Sequence, residues 1–594
     1  MSAKTTPKGL KEVTYNDAVA RSKEYFGGDE LAATVWVSKY ALKDSFGHIY
    51  ESSPEDMHHR IAAEIERIEK NYPNPLSRDE IFALLDHFRY VIPQGGPMTG
   101  IGNNLQIASL SNCFVIGHKK PADSYGGIFR MDEEQVQIMK RRGGVGHDLS
   151  HLRPTGSPVL NSALTSTGIV PFMERYSNST REVAQDGRRG ALMLTISIKH
   201  PDAERFIDAK VDTSKVTGAN VSVKIDDEFM RAAIAGKPYH QQFPIDAEKP
   251  MYEQDIDARA LWKKIIHNAW KSAEPGVLFW DTILRESVPD CYADEGFNTV
   301  STNPCGEIPL CPYDSCRLLA LNLYSYVDKP FTAEASFDFA KFRDHVGKAM
   351  RMMDDIIDLE LEKVEQIIAK IDADPEEADI RYVESNLWKK VREMALKGRR
   401  TGLGITAEGD MIAALGMRYG SDEAVAFAVE VHKTLALAAY GASVEMAEER
   451  GAFPLYDAAR ELDNPMIARI READPALYER MVKSGRRNIA MLTIAPTGTT
   501  SLMSQTTSGI EPVFRPVYKR RRKINPSDHN VKVAFVDDTG ERFEEFYVFH
   551  HNFVEWARVN GHDTSTLATI SDAELEKLVA ASPYHKATAN DIDW

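Results

Sequence analysis

The spacing of apolar residues predicts a helical N-terminal region. Residues 53–56 (Ser-Pro-Glu-Asp) form a helix start, with an N-cap serine, a proline at the first helical position and acids in the first turn. Ile61, Ile65 and Ile68 then recur at helical spacing. Residues 77–80 make a second start, since a serine followed three positions later by a glutamate is a capping box. We therefore predict an N-terminal helical domain over residues 1–100.

Beyond residue 100 the pattern changes to short apolar runs separated by long helical segments. The runs 191–198, 219–225, 318–327 and 488–495 have the composition of strands, and residues 422–450 have a helical period that stops at Gly451. Strands that alternate with helices predict an α/β domain with parallel pairing, over residues 101–594.

Composition and charge narrow the function classes. The chain has 594 residues, 43% of them hydrophobic, and a formal net charge of −16, which argues against a general nucleic-acid binder. The basic run 519–523 is interpreted as a solvated loop, with a site for a phosphorylated ligand or an acidic partner as the alternative. We find neither an apolar leader nor an apolar run long enough to span a membrane, so a cytoplasmic location without a membrane partner is expected.

The five cysteines are Cys113, Cys291, Cys305, Cys311 and Cys316. The last three lie close together with the spacing C-x5-C-x4-C, which points to metal or redox chemistry. The spacing fits zinc poorly, because zinc sites use CxxC-like pairs with further ligands. No metal site is predicted, and so few cysteines in a long chain indicate a reducing compartment.

The segment 301–308 (Ser-Thr-Asn-Pro-Cys-Gly-Glu-Ile) carries the sharpest chemical signal. In an extended segment, Cys305 and Glu307 point to the same side. The carboxylate raises the pKa of the thiol, which disfavours ordinary Cys–His nucleophilic catalysis. A cysteine that works as a radical needs no low pKa. From these residues alone, a buried cysteine in a tight turn is equally open.

Four other segments carry weaker signals. Residues 496–501 follow an apolar run and offer hydroxyl and backbone N–H groups to an anion, although a polar turn is as good an interpretation. Residues 109–115 place Cys113 on a short β-type run among polar residues. The arginines and glycines of residues 141–157 suit nucleotide phosphates, and residues 185–191 form a basic loop before a strand.

Taken together, NPCGE, SNCFV, RRGGVGHDLSHLRPTGS, QDGRRGA and APTGTTS, which occur in this chain, resemble the catalytic chains of ribonucleotide reductases. The resemblance implies a ten-stranded α/β barrel with a central finger loop. It implies that Cys305 is the thiyl radical that abstracts the ribose 3′-hydrogen, that Glu307 is the base on the 3′-hydroxyl, and that Asn303 holds the ribose hydroxyls. Cys113 and Cys316 would be the reducing pair that ends as a transient disulfide.

The resemblance also implies nucleotide sites and partners. A ribonucleoside di- or triphosphate would be the substrate, a nucleoside triphosphate or deoxynucleotide the effector, and a thioredoxin-like protein the reductant of a homodimer. The implied residues are, for substrate, Asn112, Gly144, Thr497, Gly498, Thr499, Thr500 and Ser501; for effector, Asp123, Ser124 and Arg153; and for a specificity loop, Gln185, Asp186, Arg188 and Arg189.

The class of reductase is inferred from Pro304, which precedes the radical cysteine as in the adenosylcobalamin-dependent class. The alternative is a catalytic subunit that needs a separate metal-containing subunit. A diiron bundle within this chain is not expected, because it needs two Glu-x-x-His repeats and only Glu55–His58 fits. The acid-rich stretch 354–365 (Asp354, Asp355, Asp358, Glu362 and Glu365) is interpreted as a solvated helix face.

The chain departs from the family pattern in two respects. The chain has no additional N-terminal nucleotide-binding cone, and it ends before the last barrel strands and the cysteine tail. We therefore expect an incomplete barrel that a complementary C-terminal polypeptide completes. Cys291 and Cys311 are interpreted as structural. A non-enzymatic nucleotide-binding scaffold is a third, weaker hypothesis, because all five catalytic positions are retained.

Overall fold

The computed structural model describes residues 10–118, 122–183, 190–524, 533–538 and 540–592. Helices and strands alternate along most of these residues, as the hydrophobic pattern predicts. Their α-helices are, in chain order, α1 Tyr15–Tyr25, α2 Glu30–Lys39, α3 Pro54–Glu69, α4 Arg78–Leu85, α5 Gly95–Gly100, α6 Tyr125–Met139, α7 Val170–Glu182, α8 Ala203–Asp208, α9 Asp227–Ala235, α10 Ala258–Ser272, α11 Trp280–Glu286, α12 Phe339–Asp372, α13 Ala378–Gly398, α14 Glu408–Ala414, α15 Asp422–Arg450, α16 Pro465–Ala473, α17 Pro475–Ser484, α18 Thr500–Ser504, α19 His551–Val559 and α20 Asp572–Ala581.

The strands of the same residues are short. They are β1 Val91–Pro93, β2 Cys113–Val115, β3 Gly144–Asp148, β4 Leu192–Ser197, β5 Asn220–Ile225, β6 Pro238–Phe243, β7 Tyr252–Asp257, β8 Gly276–Phe279, β9 Ser301–Thr302, β10 Pro309–Leu310, β11 Ser315–Cys316, β12 Leu318–Asn322, β13 Val327–Asp328, β14 Ser336–Phe337, β15 Gly402–Thr406, β16 Val517–Lys523, β17 Phe535–Val536 and β18 Arg542–Phe549.

Two sheets organise the centre of the molecule. The larger has the order β11-β2-β3-β4-β5-β8, in which β2, β3, β4, β5 and β8 pair in parallel and β11 pairs antiparallel with β2. The smaller has the order β1-β12-β15, with β12 and β15 parallel. The predicted mixed α/β architecture with parallel pairing is confirmed. The described strands do not form a closed barrel, and a count of ten barrel strands stays a prediction.

The predicted strands agree with the structure to different degrees. The runs 191–198 and 219–225 become β4 and β5. The run 318–327 is wrong in its second half, because β12 ends at Asn322 and a short 3₁₀ helix, Leu323–Tyr326, follows. The run 488–495 is not an extended strand of the described residues; it makes one parallel bridge, between Leu492 and Leu403.

The N-terminal helices begin where their caps predict. Ser53 and Asp56 form the capping box of α3, and Ser77 with Glu80 forms that of α4. This region shares its hydrophobic core with later helices, since Ile61 of α3 lies in the same core as residues of α12 and α15. Strand β1 also pairs with β12. The boundary at residue 100 stays a prediction.

The interpretation of stretch 354–365 as a solvated face is wrong for its first half. Asp354 and Asp355 are fully buried in α12, and their partners are Arg399 just after α13, Arg450 of α15 and Arg487. Glu362 and Glu365 are exposed, as expected. The sequence pattern could not separate the two halves, because the arginines that neutralise the buried carboxylates lie far away in the chain.

The basic run 519–523 is also different from the expectation of a loop. It lies in β16, which pairs antiparallel with β18. The side chains of Lys519, Arg520, Arg521 and Lys523 are exposed, and Arg521 forms an ion pair with Glu545 at 2.6 Å. Among the helices that the structure describes, none is both long and apolar enough to cross a membrane.

Candidate active site

A small hairpin presents Cys305 beside the larger sheet. Strands β9 and β10 pair antiparallel, and residues 303–308 form the tip between them. The Gly306 N–H donates to the Asn303 carbonyl at 3.0 Å, and Gly306 has a φ of +79°, a conformation that a residue with a side chain adopts only with strain. At the base of the hairpin, a β-carbon on Gly146 of β3 would lie 1.8 Å from the Thr302 carbonyl oxygen. The two glycines let the hairpin turn and lie directly against β3.

The hairpin side chains converge on Cys113. The Asn303 amide donates to the Cys113 sulfur at 3.1 Å and also to a carboxylate oxygen of Glu307. The Cys113 thiol donates to the other carboxylate oxygen of Glu307 at 3.9 Å, within the range for a sulfur donor. Asn303 is fully buried, so it fixes a cysteine and a carboxylate relative to each other.

The second cysteine of the site faces the first across the sheet. Cys316 of β11 lies directly opposite Cys113 of β2 in the antiparallel register, and the Asn112 N–H donates to the Cys316 carbonyl at 3.1 Å. Both thiols are buried and free. They lie in a small apolar cluster with Ile308 and Leu310 of the hairpin. Oxidation of the pair would therefore take place at the foot of the Cys305 hairpin.

Burial and the Glu307 carboxylate determine the protonation of the three thiols. Burial raises the pKa of Cys113 and of Cys316 well above the usual range, and Glu307 adds to each rise. Local burial, with a further contribution from Glu307, raises the pKa of the Cys305 thiol to about 11, although Cys305 as a residue is exposed. Burial also raises the pKa of Glu307 itself. At neutral pH all three cysteines carry their hydrogen, which excludes a resting thiolate nucleophile.

Two side chains that were not predicted from the sequence hold the hairpin tip, one before Cys305 and one after it. The Asn220 amide, at the start of β5, donates to the Pro304 carbonyl at 2.8 Å. The Thr493 hydroxyl donates to the Glu307 carbonyl at 3.0 Å. Together they fix the backbone on both sides of Cys305. No motif marks them, because each acts on a backbone atom of a segment distant in the chain.

The hydroxyl-rich segment 496–501 lies at the end of the predicted strand 488–495. The Thr497 hydroxyl bonds to Thr406 at 2.9 Å and accepts from the Gly509 N–H at 2.7 Å. Thr500 donates to Gln94, and Ser501 bonds to Ser508. These hydroxyls have internal partners, so the groups most open to a ligand lie at Gly498, which is exposed, and Thr499, which is half-buried.

Asn112 and Gly144 lie next to the hairpin. The Asn112 side-chain oxygen accepts from the Gly96 N–H at 2.6 Å, and the Gly144 N–H donates to the Asn112 carbonyl at 2.8 Å. A β-carbon on Gly144 would come within 2.9 Å of Pro304. Both residues therefore lie beside the cysteines, and their role in binding substrate stays a prediction.

Comparison with known proteins identifies the family of this site. Residues 111–540, more than half of the chain, match the family described as "Ribonucleotide reductase, barrel domain". The chain belongs to the ribonucleotide reductase family.

Relatives of the reductase chain carry more specific names. The chain is 32% identical over 495 residues to the "Vitamin B12-dependent ribonucleoside-diphosphate reductase" of Mycobacterium tuberculosis, covering 82% of this chain and 62% of that protein. It is 33% identical over 445 residues to a protein of the same name from Thermoplasma acidophilum, covering 74% and 50%. A "Vitamin B12-dependent ribonucleotide reductase" of Streptomyces clavuligerus is 29% identical over 455 residues, covering 68% and 44%. The chain thus spans less than two thirds of each of these relatives.

The three predicted effector residues lie together. Arg153 forms an ion pair with Asp123 at 2.5 Å, and its backbone N–H donates to the same carboxylate at 3.1 Å. Ser124 is the N-cap of α6 and accepts from the Gly127 N–H. Their role stays a prediction. The predicted specificity-loop residues Gln185, Asp186, Arg188 and Arg189 lie outside the described residues.

The remaining two cysteines lie outside the contacts of the Cys305 hairpin. Cys311 is buried and its thiol donates to Asp314 at 3.5 Å, while Cys291 is half-buried. Across the part of the chain that the structure describes, no group of three or more histidine, cysteine, aspartate or glutamate side chains is placed to hold a metal ion.

Proposed function

We propose that this chain reduces ribonucleotides to 2′-deoxyribonucleotides by thiyl-radical chemistry, with adenosylcobalamin as its cofactor. One arrangement carries the proposal. A facing, free cysteine pair, Cys113 and Cys316, lies at the foot of a hairpin that also presents Cys305, Asn303 and Glu307. Family membership and relatives named as B12-dependent reductases support the same conclusion.

Each side chain has a defined role in the proposed reaction. Cys305, as a thiyl radical, takes the ribose 3′-hydrogen and later returns it. Glu307 accepts the proton of the 3′-hydroxyl, and Asn303 orients the hydroxyls and Glu307. Cys113 and Cys316 together supply two electrons and two protons. The 2′-hydroxyl leaves as water, a hydrogen takes its place on the sugar, and the two sulfurs join as a disulfide.

The electrostatics of the site support these roles. A thiol that must give a hydrogen or a proton has to be protonated at rest, and the raised pKa values of Cys113, Cys316 and Cys305, caused by burial and by Glu307, provide that. The raised pKa of Glu307, caused by burial, brings this carboxyl closer to neutrality, as suits a group that accepts and then releases a proton.

The surroundings of Cys305 fit a large cofactor. Cys305 is exposed at the tip, and a β-carbon on the neighbouring Gly306 would meet no atom within 4 Å. When bound, adenosylcobalamin would supply the radical equivalent that Cys305 needs. Asn220 and Thr493, which hold the backbone before and after Cys305, would keep Cys305 at a fixed distance from the cofactor and the ribose.

The finer features of the proposal concern partners and architecture. The substrate is a ribonucleoside di- or triphosphate and the product serves DNA synthesis. The disulfide is reduced by a thioredoxin-like protein, and a nucleotide effector acts on a homodimer. We also propose that the barrel closes to ten strands with a complementary polypeptide. The position of β8 at the edge of the larger sheet, with Phe279 half exposed, supports a further strand there.

The deciding experiment is ribonucleotide reduction by the purified chain with dithiothreitol. It would be run with and without adenosylcobalamin, with and without a polypeptide matching the C-terminal part of the longer relatives, and with a separate metal-containing subunit in place of adenosylcobalamin. We expect turnover that depends on adenosylcobalamin. Turnover only with a metal-containing subunit added would overturn the cofactor proposal in favour of the class that needs a separate subunit. No turnover under any of these conditions would contradict the proposed activity.

A further inference from the structure

A buried carboxylate on the long helix α12 accepts hydrogen bonds from the segment that precedes Cys113. Glu360 is fully buried, and each of its carboxylate oxygens is occupied. One oxygen accepts from the Ser109 hydroxyl at 2.5 Å and from the Ser111 hydroxyl at 3.0 Å. The other accepts from the Leu110 N–H at 2.6 Å. Three donors from three consecutive residues thus converge on one side chain.

The same contact extends to the strand that carries Cys316. The Ser111 and Ser315 hydroxyl oxygens lie 3.5 Å apart, and the guanidinium of Arg317 donates to the Ser315 hydroxyl at 3.0 Å. Arg317 is fully buried. Burial lowers the pKa of Arg317, and the negative charge of Glu360 opposes that effect. The Ser111–Ser315 contact between the two cysteine-bearing strands therefore has Glu360 on the Ser111 side and Arg317 on the Ser315 side.

The ladder between these two strands is short. Strand β11 has two residues, and Cys316 and Ser315 pair with Cys113 and Phe114. A slip by one residue would turn every side chain to the opposite face and separate the thiols. A disulfide needs its two Cα atoms within roughly 4.4–6.8 Å, so such a slip would prevent it. The backbone holds this register through the Asn112 N–H to the Cys316 carbonyl at 3.1 Å and the Tyr313 N–H to the Val115 carbonyl at 2.7 Å. Glu360 anchors the residues just before β2 from outside the ladder.

We propose that Glu360 is a positioning residue for the Cys113–Cys316 pair: it holds the β2 strand in the register that brings the two thiols within disulfide distance. This inference rests on the proposed function, in which these two cysteines are the reducing pair. Glu360 touches neither sulfur and is not placed in the reaction itself.

The test measures the disulfide equilibrium directly, without nucleotide or cofactor. The full chain is equilibrated with mixtures of oxidised and reduced dithiothreitol. Two S–H bonds are lost and one S–S bond forms, while the cyclic disulfide of the reagent takes up the two electrons and two protons. Free thiols are then trapped by alkylation, and peptide mass mapping gives the fraction of chains in which Cys113 is linked to Cys316.

We expect Glu360→Ala to lower the equilibrium constant for this disulfide by at least about tenfold, because three buried donors lose their acceptor and the segment shifts. Glu360→Gln should fall between the wild-type chain and Glu360→Ala. Its amide oxygen can accept from Leu110 while its NH₂ group donates to the serine hydroxyls. Glu362→Ala is the matched control, since Glu362 lies on the same helix but is exposed and pairs with Arg67.

Thermal unfolding of each variant shows whether a lower disulfide equilibrium constant comes from lost positioning or from a lost fold. Should Glu360→Ala fail to fold, Ser111→Ala decides, because it removes one contact to Glu360 and the contact to Ser315 while removing only one oxygen atom. An equilibrium constant unchanged in every folded variant would overturn the positioning role alone. A wild-type chain that never links Cys113 to Cys316 would overturn the proposed reducing pair, and the role of Glu360 with it.

Discussion

Two polar regions of this chain, one fully buried and one half-buried, place a carboxylate among different kinds of partner. In the first, which we call the arginine cluster, Asp354 of α12 is surrounded by Arg399, Arg450 and Arg487. In the second, the hairpin site around Cys305, Glu307 has the neutral partners Asn303 and Cys113. Burial by itself would raise the pKa of both carboxyls.

The partners decide the outcome. Burial pushes the pKa of Asp354 upwards, but Arg399 and Arg487 outweigh it and hold that pKa well below its usual range. Burial raises the pKa of Glu307, and its amide and thiol partners do not reverse the rise. The arginine cluster keeps a permanent charge for stability, whereas the hairpin site keeps a carboxyl that can take up a proton. Substitutions in the arginine cluster should therefore change the free energy of unfolding, and substitutions in the hairpin site should change turnover or thiol reactivity.

The largest expected effect is on turnover, from Cys305→Ala. The proposed reaction has no route to the ribose 3′-hydrogen without this thiol, so we expect ribonucleotide reduction to fall by on the order of a thousandfold or more, with the melting temperature unchanged. Cys291→Ala is the control, since Cys291 is half-buried and outside the hairpin. Turnover that survived Cys305→Ala would remove the basis for the hairpin as the reacting element.

The next effect is on stability, from Asp354→Ala. Removing this carboxylate leaves Arg399, Arg450 and Arg487 without one of their counter-charges in the interior, and breaking a buried pair costs about 3 to 5 kcal/mol. Chemical denaturation would measure the free energy of unfolding. Glu365→Ala on the same helix should cost less than about 1 kcal/mol, because Glu365 is half exposed. Equal losses in the two variants would contradict the distinction drawn between buried and exposed acids of α12.

Much of the fold could be predicted from local pattern. The capping boxes of α3 and α4 and the long helix ending at Gly451 are encoded within a few residues. The arginine cluster could not be predicted in this way. Asp354 and Glu365 look alike in the sequence, and only the arrival of α15 and of Arg487 from distant parts of the chain makes one of them buried.

The residues of the site also divide into those that the local sequence predicts and those that distant parts of the chain bring together. Asn303, Cys305 and Glu307 lie within one five-residue motif, so the types and spacing of these residues are enough to point to the chemistry. Asn220, Thr493 and Glu360 act on backbone atoms or serines of remote segments. Nothing in their immediate neighbourhood distinguishes them from ordinary polar residues.

A smaller effect on turnover is expected from the two residues that hold the hairpin tip. Asn220→Ala and Thr493→Val each remove one hydrogen bond to a carbonyl beside Cys305, worth about 0.5 to 1.5 kcal/mol, so each should lower kcat about two- to tenfold. Thr332→Val is the matched control, because Thr332 also donates to a backbone carbonyl, at an exposed turn. A double variant no slower than either single one would show that the two contacts do not hold the tip independently.

The smallest expected effect is on the pH dependence of Cys305 alkylation, which tests whether the charge of Glu307 acts on the Cys305 thiol. Only the thiolate reacts with iodoacetamide, and the pKa of Cys305 is raised to about 11 by burial first and by Glu307 second. The alkylation rate should therefore keep rising with pH up to about 11. Glu307→Gln removes the negative neighbour, so it should lower the Cys305 pKa and speed alkylation at pH 8.5 by about two- to fivefold. The gain is modest because burial, the larger cause, remains.

A matched Glu295→Gln variant, at an exposed position outside the hairpin, should leave the Cys305 profile unchanged. If Glu307 instead carried a compensated charge like Asp354, its removal would not change the thiol pKa, and both variants would follow the wild-type curve. A shift in Glu307→Gln alone would show that the hairpin carboxylate acts directly on the reacting thiol. The contrast between the two carboxylates would then rest on their partners, since burial raises the pKa of both and only Asp354 is paired with cations.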